Sequence, residues 1–239
     1  MTTDLPRHNP TESAAPAAMP LPGTPVRSDT HGDTVPVIVW RTVAHDPDTS
    51  GQDIDLPARL AHYLVTIYTA FGDTIADFDA DDNLRDAAHA EGRGYINVGG
   101  RGGLDGQHLT PPRPITLIVM RWPRPAPHTS AQAHTLLAAC EDVLDSDGSV
   151  IVAVTAARSG QPGTTYTDYE HQIVSTARAA GLRHLHDIVA LDATDGHDSF
   201  TYPATDHDLN NAGSDTDAAT PRRTTATTMI ILCKAVRTP

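Results

Sequence analysis

Apolar positions along the chain follow two different periods, and their alternation predicts the fold class. Short continuous apolar runs indicate strands covered on both faces, whereas apolar residues at helical spacing, closed by glycine, indicate helices. The predicted strands are residues 35–43, 74–78, 94–98, 115–120, 149–154, 184–191 and 228–234. The predicted helices are residues 57–68, 82–91, 130–144 and 168–180. Strands that alternate with helices predict an α/β fold with a doubly wound, mostly parallel sheet.

Two polar stretches show no hydrophobic period, one before this predicted domain and one within it. Residues 1–33 are rich in Pro, Ala, Thr and Asp, a composition that cannot bury enough apolar surface to offset the entropy of ordering. Residues 194–225 are too long and too polar for an ordinary connection. We predict a disordered tail at 1–33 and a single domain at 34–239 that carries a flexible insertion at 194–225.

Charge and cysteine content narrow the classes of function. The formal net charge of −13 opposes attraction to nucleic acids and anionic membranes, so we expect no direct binding to either. Cys140 and Cys233 lie in apolar runs and form neither a zinc motif nor a disulfide framework. No apolar run reaches about 18 residues, and the start of the chain lacks the pattern of a secretory signal. These features predict a cytoplasmic protein.

The chemistry of such a fold is expected in the loops, because ligands of doubly wound sheets bind beyond the carboxyl ends of the strands. Three predicted strands run into distinctive segments. The strand at 74–78 leads into an acidic loop that contains Asp77, Asp79, Asp81, Asp82 and Asn83. The strand at 94–98 leads into Gly99 and Gly100, and the strand at 115–120 leads into Arg121, Trp122, Pro123 and Arg124.

The order of these segments resembles the class I methyltransferases that use S-adenosylmethionine, and in particular bacterial DNA methyltransferases that act on exocyclic amino groups. The resemblance covers residues 56–234. It is carried by YTAFGD (68–73), IADFD (75–79), GRGYINV (92–98), ITLIVMRWP (115–123), LLAACEDVLDSDGSVIVAV (136–154) and ARAAGLRHLHDIVAL (177–191). It implies a Rossmann-like sheet with an antiparallel last strand, and it leaves open whether residues 35–43 supply the family's third strand.

The resemblance also implies site residues, and the sequence departs from the family at each of them. The matching donor-binding residues are Asp77, Asp79, Asp81, Asn83 and Gly99, and the matching catalytic residues are Arg121, Trp122, Pro123 and Arg124. Asp81 and Asn83 replace glycines that let the backbone approach the methyl donor. Gly99 follows the strand whose end, in the family, carries an acid that binds the ribose. Arg121 can only donate hydrogen bonds where the family needs an acceptor for amino hydrogens.

These departures predict a methyltransferase fold that has lost its reaction and acts as a binding or accessory factor. Its partner would be a catalytic methyltransferase homologue or another protein, and we expect neither a cofactor nor a metal. The alternative is an active but divergent methyltransferase that uses S-adenosylmethionine on a DNA amino group or a small molecule. A phosphate-handling enzyme built on Asp77 and Asp79 fits less well, because the small hydroxyl residue and the lysine that such enzymes require are missing.

The acidic loop also has a purely structural interpretation. Asp81 or Asp82 would cap the following helix, and the other carboxylates would be solvated. The spacing of the acids resembles the start of a calcium-binding loop, but Asp82 and Ala88 stand where such a loop needs Gly and Glu. We therefore expect no calcium site.

The arginine and histidine side chains near the strand ends also have structural interpretations beside functional ones. Arg121, Trp122 and Arg124 would belong to a proline-stiffened loop whose tryptophan covers the neighbouring helix, or they would stack on an aromatic ligand or hold a phosphate. Strand alternation would place His184 and His186 on one face and Asp187 on the other. These groups, together with His197, Asp198, His207 and Asp208 in the predicted insertion, are expected to face solvent.

Overall fold

The computed structural model of the protein describes residues 35–43, 55–99, 115–124, 130–156, 163–193, 196–204 and 227–235. Its strands are β1 (Val37–Val43), β2 (Thr74–Asp77), β3 (Gly94–Asn97), β4 (Ile115–Trp122), β5 (Leu144–Val154), β6 (Leu182–Ala193), β7 (Ser199–Thr201) and β8 (Thr227–Lys234). Its helices are α1 (Ala58–Tyr68), α2 (Asp82–Ala90), α3 (Ser130–Val143) and α4 (Tyr166–Ala179). The predicted tail at 1–33 lies outside these ranges, and no helix within them has the length and apolar character that crossing a membrane requires.

The strands form one sheet in the order β3-β2-β4-β5-β8-β6-β1-β7. Neighbours are parallel from β3 to β5, and β1 is parallel to β6. Strand β8 runs antiparallel between β5 and β6, and β7 runs antiparallel on β1. The predicted doubly wound, mostly parallel sheet with an antiparallel last strand is confirmed. From β2 the chain proceeds to β3 on one side, and from β4 it proceeds to β5 on the other, so the strand order reverses between β2 and β4.

Helices cover both faces of the sheet. Leu60 and Leu64 of α1 and Leu84 of α2 are buried against one face, in a cluster that also contains side chains of β2, β4, β5 and β8. Leu137 of α3 and Ile173 of α4 are buried against the other face. Because both faces are covered, the central strands are apolar throughout, which explains why their sequences read as continuous runs rather than as alternating patterns.

Strand β1 lies between β6 and the edge strand β7, on the side of the sheet opposite β3. It therefore does not pair with β3. The sequence left open whether residues 35–43 supply the third strand of the resembled family, and this position beside β6 speaks against it. Its position is fixed by an aromatic cluster, in which Trp40 contacts Tyr63 of α1 edge to face, and Phe200 of β7 contacts both rings. Such contacts add to the stabilisation from burial alone.

Several predicted boundaries shift. Helix α1 begins at Ala58, one residue later than predicted, because Pro57 is its N-cap rather than its first helical residue. Pro57 makes no side-chain hydrogen bond that caps the helix, and its carbonyl oxygen accepts the amide of Ala61 at 2.9 Å. Strand β4 continues through Trp122, since Arg121 and Trp122 still pair with β5. Strand β5 begins at Leu144, five residues before the predicted start at 149, so Asp147 and Gly148 lie inside the strand. A Cβ atom at Gly148 would lie 2.8 Å from side-chain carbons of Leu144 and 3.0 Å from the Thr116 carbonyl oxygen, so a larger residue there would have to displace its neighbours.

The predicted insertion at 194–225 is structured in part. Residues 196–204 include β7, and Asp198 anchors them. Its carboxylate accepts hydrogen bonds from the Val43 amide at 2.8 Å, from Arg59 Nε at 2.7 Å, and from the Tyr63 hydroxyl. The bonds from Arg59 hold the pKa of Asp198 at about 2, well below its usual value. The structure thus contradicts the expectation of a solvent-facing side chain at Asp198, whereas His197 is exposed as expected, and residues 194–195 and 205–225, with His207 and Asp208, lie outside the described ranges.

Candidate functional site

The loops after β2 and β4 form the candidate site, because the strand order reverses between these two strands. In doubly wound sheets the crevice at such a reversal is where ligands bind. The predicted donor-loop residues and the predicted catalytic segment meet there. The structure therefore brings together two groups that the sequence analysis treated separately.

Asp77 closes β2 and organises the acidic loop from within. Its side chain is fully buried. One carboxylate oxygen accepts the amide of Asp79 at 2.8 Å, and the other accepts the amide of Asp81 and the hydroxyl of Tyr95, both at 2.6 Å. Burial raises the pKa of the Asp77 carboxyl, and these three hydrogen bonds oppose the rise. The carboxylate is thus turned into its own loop rather than towards a ligand.

Asp81 connects three elements through one carboxylate that is 2% exposed. Its Oδ1 accepts the Leu84 amide at 2.9 Å and so caps α2, as predicted. Its Oδ2 accepts the amide of Leu56 and Nη2 of Arg121, both at 2.6 Å. Asn83 binds the other polar group of the Leu56 backbone, because its Nδ2 donates a hydrogen bond to the Leu56 carbonyl at 2.7 Å. Asp81 and Asn83 together hold the chain where it enters α1.

Asp79 connects the acidic loop to the end of β4. Its Oδ2 accepts the amide of Arg121, and its Oδ1 accepts Nη1 of Arg124, both at 2.6 Å. Arg124 also donates to the Phe78 carbonyl at 3.1 Å, and its guanidinium lies over the Phe78 ring. The ion pairs Arg121–Asp81 and Arg124–Asp79, which we call the bridging pairs, therefore span the crevice. The expectation that carboxylates other than the cap are solvated is wrong for Asp77 and Asp79.

Negative charge exceeds positive charge in this crevice. Asp55 lies 3.6 Å from Nη2 of Arg121, so one guanidinium serves two carboxylates. The pKa of Asp55 is raised by burial and then by the negative charge of Asp81. Three carboxylates, of Asp55, Asp79 and Asp81, thus face the two arginines of the bridging pairs, and the arginines are held by the protein's own acids.

The remaining predicted site residues have packing roles. Trp122 is 6% exposed and belongs to the core beside α3, as the structural interpretation expects, so its ring is not open for stacking on a ligand. Pro123 follows it, after the last residue of β4. A Cβ atom at Gly99 would lie 2.2 Å from the Phe78 carbonyl oxygen, so any side chain there would collide with the acidic loop. The close packing of the two loops thus requires glycine at this position.

The histidine cluster of β6 is arranged differently from the prediction. A register shift against β8 between His184 and His186 breaks strand alternation. His184 and Asp187 therefore lie on the same side, with Nε2 and Oδ1 2.8 Å apart and both residues buried. His186 instead contacts the Tyr68 hydroxyl at 2.8 Å. The prediction of solvent-facing side chains is wrong for these three residues, and nothing in the sequence marks the irregularity.

The described residues show no metal centre at the bridging pairs, and a small cavity lies elsewhere in the molecule. No group of three or more His, Cys, Asp or Glu residues in the described part of the chain has the arrangement of a metal site. A small apolar cavity lies instead between α3 and α4, lined by residues that include Met120, Leu137 and Ile173. Its volume of about 10 Å³ is at the lower limit for one water molecule.

Comparisons with known proteins give similarity only to solved structures. No protein-family model and no curated protein matches the sequence. One similar structure is an S-adenosylmethionine-dependent methyltransferase from Clostridium acetobutylicum, with 10% identity, a TM-score of 0.42, and coverage of 74% of this chain and 89% of that one. Another is precorrin-6y C5,15-methyltransferase from Geobacter metallireducens, with 9% identity, a TM-score of 0.41, and coverage of 81% and 97%.

A third is a TehB-like methyltransferase from Corynebacterium glutamicum, with 14% identity, a TM-score of 0.39, and coverage of 79% and 92%. Other similar structures are of longer proteins, of which this chain spans between 49% and 65%. Similarity of this size carries no argument about activity or substrate. The fold is methyltransferase-like on the basis of the chain's own sheet, in which the antiparallel last strand lies between β5 and β6.

Replacing Arg121 by Gln should destabilise the protein by about 2 to 3 kcal/mol, because Asp81 would remain buried without its counter-charge. The free energy of unfolding in urea measures this loss. Arg85→Gln is the matched control, since Arg85 pairs with exposed Asp82 and Asp86 and should change stability by less than about 0.5 kcal/mol. Equal effects of the two substitutions would show that the crevice pair has no special role.

His186 should make the stability of the protein depend on pH. Burial lowers the pKa of His186 to about 4, whereas the unfolded chain binds the proton near pH 6.5. Between these values the unfolded state holds more protons, so stability falls as the pH decreases from about 6.5 to about 4, by up to about 1.4 kcal/mol per pH unit.

Urea unfolding of the wild type and of His186→Gln, at several pH values in this window, tests the effect. The variant should lose this part of the pH dependence, while His89→Gln, which alters an exposed histidine, should keep it. A His186→Gln profile parallel to that of the wild type would contradict the assignment.

Proposed function

We propose that this protein is a methyltransferase-like protein that does not catalyse methyl transfer and instead serves as a binding or accessory factor. The bridging pairs carry this proposal. They join the loops after β2 and β4 across the position where a doubly wound sheet binds its ligand. Side chains of the protein itself therefore occupy the crevice.

Reuse of the donor-loop positions supports the same function. In the resembled family, bare backbone at these positions approaches the methyl donor. Here Asp81 and Asn83 bind both polar groups of the Leu56 backbone, at 2.6 and 2.7 Å. A donor molecule would have to displace the entry of α1 and also break the cap of α2. The cost of leaving these buried polar groups unpaired opposes binding.

The positive charge of the predicted catalytic segment, residues 121–124, also supports the absence of methyl transfer. An amine that attacks a methyl group becomes positively charged, and a nearby acceptor or carboxylate stabilises that charge. Arg121 and Arg124 supply only donors and positive charge at the end of β4. The acids beside them are already committed to these arginines at 2.6 Å. The arrangement thus disfavours the chemistry that an active enzyme needs.

Calorimetry with S-adenosylmethionine and S-adenosylhomocysteine tests the absence of donor binding. We expect no saturable binding at concentrations up to about 1 mM, alongside a known methyltransferase that binds both under the same conditions. A dissociation constant in the micromolar range would contradict the proposal. Methyl transfer from labelled donor that is lost in Asp77→Asn would establish the alternative, an active and divergent methyltransferase acting on a DNA amino group or a small molecule.

The accessory role is tested with a catalytic methyltransferase from the same organism, chosen first among the products of neighbouring genes. Mixing the two proteins should give a complex in size-exclusion chromatography and should change kcat or KM of the catalytic partner. The expected change is severalfold. An isolated protein that neither associates with such an enzyme nor alters its kinetics would contradict the accessory role, while leaving the absence of donor binding unaffected.

A further inference from the structure

We propose that the sheet edge formed by β3 is a docking surface for a second copy of this chain, which pairs with it as an antiparallel strand across a twofold axis. Strand β3 has β2 on one side, and within the described ranges no strand pairs with its other side. A second copy would join two eight-stranded sheets into one. This inference does not depend on the proposed function, because no residue of β3 takes part in the bridging pairs.

The backbone of β3 directs polar groups towards this outer side. The amides of Gly94 and Val98 donate, both at 2.7 Å, to carbonyls of β2 and of the residue before it. Along a strand in a parallel pair, the backbone groups of successive residues point to opposite sides. Those of Tyr95 and Asn97 therefore point away from β2. They are the donors and acceptors that a further strand would use.

The sequence of β3 lacks the features that commonly protect an edge strand. Such edges carry charged side chains, prolines or bulges. Residues 94–100, GYINVGG, contain no charge and no proline, and β3 keeps one register with β2 along its whole length. At the opposite edge, β7 has three residues and lies between Asp198 and Pro203. Of the two described edges, the one at β3 is thus the better suited to pairing.

Ile96 lies at the centre of this edge and is only half-buried. Its neighbours Tyr95 and Val98 pack against the two apolar clusters of the core, whereas Ile96 belongs to neither cluster. If Ile96 stands on the twofold axis, it faces Ile96 of the second copy in a non-hydrogen-bonded pair, with Cα atoms about 4.5 Å apart. The dimer would therefore bury an apolar side chain that the single chain leaves half-exposed.

The same register makes the edge complementary to itself. With Ile96 on the axis, Tyr95 lies opposite Asn97 of the second copy, and Asn97 lies opposite Tyr95 of the second copy. Both are hydrogen-bonded pairs, so the outward-pointing groups of both strands find partners. The lack of charge at residues 94–100 matters here, because two chains that each carry a net charge of −13 meet at this edge without opposing like charges. These features favour a second copy over an unrelated strand.

Phe71 provides a separate apolar contact at the beginning of β3. Its side chain is 85% exposed, and its ring lies over Gly92, where a Cβ atom would be 2.6 Å from Cε2. The Gly72 amide donates to the Gly92 carbonyl at 3.1 Å and fixes this position. In an antiparallel pair, the residues that follow Asn97 of the second copy run past this end of β3. They would cover the exposed ring.

Sedimentation velocity at increasing protein concentration tests the dimer. Because the edge is short, we expect reversible association with a dissociation constant of about 10 to 100 µM. Ile96→Lys places two like charges at the axis and should weaken association at least about tenfold. The matched control is Ala179→Lys, which adds the same charge at an exposed position of α4 and should associate like the wild type. A wild type that stays monomeric up to about 500 µM would overturn the proposal, as would unchanged association of Ile96→Lys.

Hydrogen exchange of the wild type locates the interface without a variant. The amides of Tyr95 and Asn97 should exchange at least about threefold more slowly at 500 µM than at about 5 µM, because they are bonded only in the dimer. The Val98 amide, which donates within the sheet, should exchange equally at both concentrations. Protection of Tyr95 and Asn97 that is independent of concentration would show that the same chain covers the edge. A dimer that leaves both amides unprotected would use another surface, and either result would overturn the proposal.

Discussion

The carboxylate of Asp81 is the contact on which the arrangement of the crevice depends. It caps α2 through the Leu84 amide, holds the entry of α1 through the Leu56 amide, and pairs with Arg121 at the end of β4. A single buried anion can satisfy several donors at once, since each carboxylate oxygen has two lone pairs. Because the side chain is nearly inaccessible to water, each of these donors must come from the protein. The positions of two helices and of the β4 end are therefore coupled through one residue.

This coupling accounts for how the polar groups at the reversal point of the sheet find partners within the chain. Backbone and side-chain polar groups at the ends of β2 and β4 must find partners when they are buried. In many doubly wound proteins a bound nucleotide provides part of these partners. Here Asp77 satisfies the amides of its own loop, and Asp79 and Asp81 satisfy the groups that follow β4. The crevice is thus complete as a hydrogen-bonded unit within the chain.

Local sequence patterns predicted the elements of the sheet but not its irregular parts. The strands at β2, β4 and β8 were evident because both faces of each are covered, which makes them continuously apolar. Strand β7 was missed, since three residues with exposed and half-buried positions carry no period. The shift in register at His186 was missed for a different reason, because it depends on how β6 pairs with a strand that is distant in sequence. Pairing with strands that are distant in sequence, rather than local secondary-structure propensity, decided both strand β7 and the register shift.

The candidate site was predicted residue by residue but not as a unit. The acids after β2 and the arginines after β4 were identified separately, and the signal for their pairing was present in the sequence, since opposite charges at the ends of two adjacent parallel strands must lie close together. The pairing changes the meaning of the departures from the resembled family. Asp79 requires Arg124, Asp81 requires Arg121, Asn83 holds the same Leu56 backbone as Asp81, and Gly99 leaves room for the loop that Asp79 and Asp81 form. Unrelated losses would leave buried charges and polar groups without partners. Because each of these residues supplies a partner or the space for another, they form one interdependent feature, and we expect that none of them can be replaced alone without cost to the fold.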